Sequence, residues 1–85
     1  MFDQKIRVLI VDDFPSMREM IGRSMKELGY NDLTEAEDGL LAWNAVASAQ
    51  PPIGLIICDL NMPKCNGIEF LKKVRKQPAT SVLFF

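Results

Sequence analysis

The sequence predicts an α/β fold built on a parallel sheet, and three observations predict it. Two short apolar runs, one inside Lys5–Val11 and one over Ile53–Cys58, are continuous rather than alternating, as strands covered on both faces are. Each run ends abruptly on aspartate, Asp12-Asp13 in the first case and Asp59 in the second. Between the runs lie stretches with apolar residues at three- and four-residue spacing, joined by short connections. The resulting β-α-β-α-β-α-β alternation calls for right-handed crossovers and a parallel sheet, in one domain spanning residues 1–85.

The first strand, Lys-Ile-Arg-Val-Leu-Ile-Val, begins with alternation and becomes wholly apolar. Phe14, Pro15 and Ser16 then open a helix, Pro15 sitting in a first turn where its missing N–H costs nothing. Met17, Met20, Ile21, Ser24, Met25 and Leu28 supply its expected inward stripe, and Gly29 its stop. A second strand is expected over Leu33–Ala36, then a Glu37-Asp38-Gly39 turn and a helix from about Leu40 to Ala49, with Trp43 as its bulkiest packing residue. Gln50-Pro51-Pro52 closes that helix ahead of the strand Ile53–Cys58. A turn-rich loop, Leu60 to Gly67, precedes a third helix from about Ile68 to Lys76, with Ile68, Leu71 and Val74 inward. Its Lys72, Lys73, Arg75 and Lys76 read as a solvated outer face. Val82 to Phe85 starts a fourth apolar run.

Composition narrows the function classes. A chain of 85 residues buries only about 60% of its unfolded surface, so stability is expected to be marginal. It is 48% hydrophobic and 25% charged, ordinary for a globular domain, with a formal net charge of -1. That charge gives no bulk attraction to nucleic acid or an anionic membrane, and the longest apolar run is far short of a bilayer span. A cytoplasmic setting is the resulting expectation. Cys58 and Cys65 match no zinc spacing and read as reduced thiols. Histidine is absent, so Ser16, Ser24, Ser48 and Ser81 have no imidazole to activate them, and any bound metal must be held by oxygen.

In a parallel sheet the C-terminal strand ends share one edge, where ligands bind. Asp12, Asp13 and Asp59 all stand at such ends. If the first and third strands are neighbours, their carboxylates converge and repel unless a cation sits among them or a proton is taken up. Oxygen ligands favour magnesium. A carboxylate beside that ion is suited to attack a phosphoryl group, forming an aspartyl-phosphate. The bland alternative, solvated turn acids, explains any single aspartate but not acids following two separate apolar strands. No P-loop or dinucleotide fingerprint follows either strand. Phe14 either lines the mouth of this site or caps the first helix.

Val-Leu-Ile-Val-Asp-Asp-Phe at 8–14, Glu-Ala-Glu-Asp-Gly at 35–39 and Ile-Ile-Cys-Asp-Leu-Asn-Met-Pro at 56–63 resemble the receiver domains of bacterial response regulators, most closely the CheY-like chemotaxis type. The resemblance implies a flavodoxin-like, doubly wound sheet of strand order 2-1-3-4-5. It implies Asp59 as phosphoacceptor and magnesium ligated by Asp13, Asp59 and the backbone carbonyl of Asn61, with Asp12 acting through water. It further implies a histidine kinase as phosphodonor, and a domain with at most weak self-phosphorylation and autodephosphorylation rather than an enzyme. Cys65-Asn66-Gly67 departs from the family's usual Met-Asp-Gly and is expected to alter the loop surface only.

By the same resemblance the chain is a (βα)3β portion of a (βα)5 fold. The family's switch Thr or Ser, its phosphoryl-pairing Lys and roughly 35–40 further residues have no counterpart here. The fourth strand is then expected to form an apolar edge, favouring a homodimer or higher oligomer through that edge and impairing output as a monomer. Two other function classes follow from the same residues. One is a non-catalytic remnant acting as a self-associating interaction module. The other is a magnesium-dependent phosphohydrolase, disfavoured because Asn61 stands where such enzymes place a second aspartate.

Overall fold

The computed structural model describes residues 4–48, 53–58, 72 and 81–84. Its elements follow in the order β1 (Arg7–Val11), α1 (Pro15–Glu27), β2 (Leu33–Ala36), α2 (Gly39–Ser48), β3 (Ile53–Cys58) and β4 (Ser81–Phe84). Every strand pairing is parallel and the order across the sheet is β2-β1-β3-β4. This is the expected flavodoxin-like arrangement over its first four strands.

The apolar run of β1 is explained by cover on both faces. Val8 and Ile10 pack with Met25, Tyr30 and Leu55 on the α1 side. Leu9 and Val11 pack with Ala36, Ala42, Ile56 and Cys58 on the other, where Trp43 and Val46 of α2 close over them. These four of the five β1 side chains are 0% exposed, and each contributes about 1.5–3 kcal/mol of transfer energy, so β1 is the axis of the fold. Cys58 is a buried thiol in that core.

Helix α1 starts as its proline predicts, but its buried stripe is rotated. Met25 is buried and Ile21 partly so, whereas Met20 and Leu28 are 54% and 60% exposed, and Ser24 is exposed as well. Met17, Arg18, Ile21 and Gly22 are half-buried beside the buried Met25, so the stripe takes in the charged Arg18 and leaves out Met20. The helix ends in a Schellman motif. Tyr30 N–H donates to the Met25 carbonyl at 2.9 Å and Gly29 N–H to the Lys26 carbonyl at 3.0 Å. Gly29 holds φ +96°, a conformation that costs other residues more. The side chain of Gln4 lies over it, donating to the Leu28 carbonyl at 2.8 Å.

Helix α2 begins at Gly39, one residue earlier than expected, because Asp38 caps it. The Asp38 carboxylate accepts the Leu41 N–H at 2.8 Å and its carbonyl accepts the Ala42 N–H at 2.9 Å. Gly54 marks an irregularity that its apolar neighbours conceal. Arg7 pairs with Ile53 but Val8 with Leu55, and a Cβ on Gly54 would stand 3.1 Å from Ile6 Cβ. The expected third helix lies outside the described residues except for Lys72, which is helical and exposed. The expected inward Ile68, Leu71 and Val74 also fall outside them. No helix among the described residues is long and apolar enough to cross a membrane.

Candidate functional site

The site is built where β1 stops. Val11 of β1 is the register partner of Cys58 of β3, and the residues that follow these two in sequence are Asp12 and Asp59. Asp59 itself lies outside the described residues, as do Asn61, Met62, Pro63, Cys65 and Gly67. Of the expected ligands, Asp12 and Asp13 are the two the structure places.

Asp12 is 1% exposed and pinned on several sides. Its N–H donates to the Ala36 carbonyl at 3.1 Å, continuing the ladder toward β2. Its Oδ1 accepts the Phe14 N–H at 2.9 Å, forming an Asx turn that delivers the chain into α1. Its carbonyl accepts from Arg18 Nη1 at 2.7 Å. The Phe14 alternatives resolve accordingly: its backbone is the N-cap position of α1 without any side-chain cap, and its ring is 63% exposed.

Asp13 is different. The residue as a whole is half-exposed, yet its Oδ1 is buried with no hydrogen-bond partner among the described residues. A buried acceptor left unpaired costs about 1–3 kcal/mol, and more when it is charged. A carboxylate oxygen held out of water next to a second aspartate is a fitting ligand for a hard cation, which takes oxygen donors. No group of three or more His, Cys, Asp or Glu residues arranged to hold a metal occurs among the described residues. The third expected member of the acid cluster, Asp59, lies beyond them.

Apolar periodicity does not single out Arg18. Its Nε also donates to Glu35 Oε1 at 3.1 Å, tying α1 to β2. The available signal was its place on the sheet-facing stripe of α1, where a charged residue needs a partner. Asp38 was likewise read as a turn residue, although aspartate before an apolar helical stretch is an N-cap signal. A groove between α1 and β2, lined in part by Arg18, Gly22, Arg23 and Leu33, does not include either acid of the pair.

Comparison with known proteins agrees with this geometry. Residues 8–85 match the family model described as "Response regulator receiver domain". The chain is 39% identical over 72 residues to the Chemotaxis protein CheY homolog of Campylobacter jejuni subsp. jejuni, covering 85% of this chain and 55% of that protein. It therefore spans about half the length of the curated relatives it matches. Chemotaxis response regulator CheY4 of Vibrio cholerae superposes with a TM-score of 0.83 at 36% identity, over 94% of this chain and 67% of that one. A response regulator receiver protein from Pseudomonas putida gives a TM-score of 0.82 at 27% identity, over 98% and 69% of the two chains. With the strand order, the buried Asp12 after β1 and a family match over nearly its whole length, the chain belongs to the response regulator receiver domain family and is of its CheY-like type.

Proposed function

We propose that this chain is the phosphoacceptor of a two-component signalling system, receiving one phosphoryl group on Asp59 from a histidine kinase. The observation that carries this reading is the buried, unpartnered Oδ1 of Asp13 at the end of β1. Magnesium fits that donor set. Asp13, Asp59 and the backbone carbonyl of Asn61 would hold it, with Asp12 acting through water. When bound, the ion supplies neutralisation of the charge on the phosphoryl oxygens.

The protein's own residues divide the remaining work. An oxygen of the Asp59 carboxylate attacks phosphorus, the new O–P bond forms as the P–N bond to the kinase imidazole breaks, and the imidazole leaves with the bonding pair. Asp12, fixed by Ala36, Phe14 and Arg18, orders the turn that carries Asp13. Turnover is at most weak self-phosphorylation and autodephosphorylation, so the role is that of an acceptor, not an enzyme. Relatives named as chemotaxis proteins support a chemotaxis role.

A second reading, a self-associating module, draws on β4, which pairs with β3 and has no second strand neighbour among the described residues. Magnesium titration by calorimetry of the chain, Asp13→Asn and Asp59→Asn separates the two. Saturable binding lost in both variants supports the acceptor; equal, negligible heats in all three contradict it.

A further inference from the structure

We infer that Arg18 is a positioning residue of the acid site, holding the peptide that carries Asp13 in the orientation that receives a cation; this rests on the magnesium reading above. The argument starts from covalent geometry. The carbonyl of Asp12 and the N–H of Asp13 belong to one planar peptide, so fixing that oxygen fixes the plane from which Asp13 projects. Arg18 Nη1 donates to the oxygen at 2.7 Å. The other end of the same guanidinium, Nε, donates to Glu35 Oε1 on β2 at 3.1 Å.

The contact is unlike the other helix-surface arginine pair of α1. The Arg18 side chain is 15% exposed, against 71% for Arg23, whose partner Glu19 lies one turn away on the same helix. A planar guanidinium with two acceptors from two different elements has little freedom left to lose per bond. Side chains on a helix lean toward its N-terminus, which is why a residue in the second turn of α1 reaches back to the β1 exit. Asp12 is then held by β2 through Ala36, by the helix start through Phe14 and by the helix side chain through Arg18. Asp13, one residue further on, has its Oδ1 buried with no hydrogen-bond partner among the described residues.

Charge and position pull in opposite directions here, which makes the role measurable. A cationic side chain near a cation site weakens binding by repulsion, so deleting Arg18 as a mere charge tightens magnesium. Deleting it as a positioner loosens magnesium. The test compares the chain with Arg18→Met, Arg18→Lys and Asp13→Asn, using magnesium calorimetry and, in metal-free protein, amide hydrogen exchange at Phe14. The expected result is about tenfold weaker magnesium binding in Arg18→Met, a smaller loss in the charge-retaining Arg18→Lys, and about tenfold faster Phe14 exchange in Arg18→Met. Unchanged or tighter magnesium in Arg18→Met, with the parent binding normally, overturns the role of Arg18 alone. A parent chain that binds no better than Asp13→Asn overturns the magnesium reading and this inference with it. Should Arg18→Met fail to fold by circular dichroism, Arg18→Lys decides: binding equal to the parent overturns the inference, and weaker binding with native dichroism supports it.

Discussion

Val11 and Cys58 are register partners at the C-terminal ends of adjacent parallel strands, and the next residues in sequence are Asp12 and Asp59. That pairing links the two acid motifs, which stand far apart in the chain. Asp13, whose buried Oδ1 has no hydrogen-bond partner among the described residues, directly follows Asp12.

Asp13→Asn is expected to weaken magnesium binding by at least about tenfold while stabilising the metal-free fold by about 1 kcal/mol, because it removes a charge whose buried oxygen has no partner. Calorimetry reads the first effect and denaturant titration without metal the second. Lower stability in the variant would count against an uncompensated charge.

Asp38→Ala is expected to cost about 1 kcal/mol through loss of the α2 cap on Leu41, with magnesium affinity unchanged. Urea midpoints and calorimetry on one preparation check both halves. The contrast with Asp13→Asn separates an acid that caps a helix from one offered to a ligand.

Gly29→Ala is expected to destabilise the chain by about 1 kcal/mol, since alanine must adopt φ +96° at the end of α1. Thermal melts followed by circular dichroism check it. An unchanged midpoint would show that the Schellman turn relaxes freely.

Self-association through β4 predicts a mass that rises with protein concentration in light scattering, and a fall when Leu83 is replaced by lysine on that edge strand. A concentration-independent monomer contradicts it.

Much of this was legible in the sequence because β1 and β3 are buried on both faces, and continuous apolar runs ending in aspartate report that directly. The strand order came from resemblance to a family, because apolar pattern alone does not say which strands are neighbours. The stripe of α1 was misjudged because Met20 and Leu28 fit a helical period but face away from the sheet, while Arg18 faces it. Periodicity counts apolar residues and misses a charge that packs by pairing. Gly54 is a related case: a glycine inside an apolar strand run signals an irregularity, but the close approach of Ile6 comes from another part of the chain. The acid pair was legible as the end of the first strand, but the three bonds that fix Asp12 depend on Ala36, Phe14 and Arg18 arriving together in space.

The central claim is tested most directly by incubating the chain with a small phosphodonor, with and without magnesium, and locating any added phosphoryl group by mass spectrometry of its peptides. The account predicts magnesium-dependent modification of the peptide carrying Asp59, absent in Asp59→Asn and reduced in Asp13→Asn. Modification that persists in Asp59→Asn, or no modification of a folded chain that binds magnesium, would contradict it.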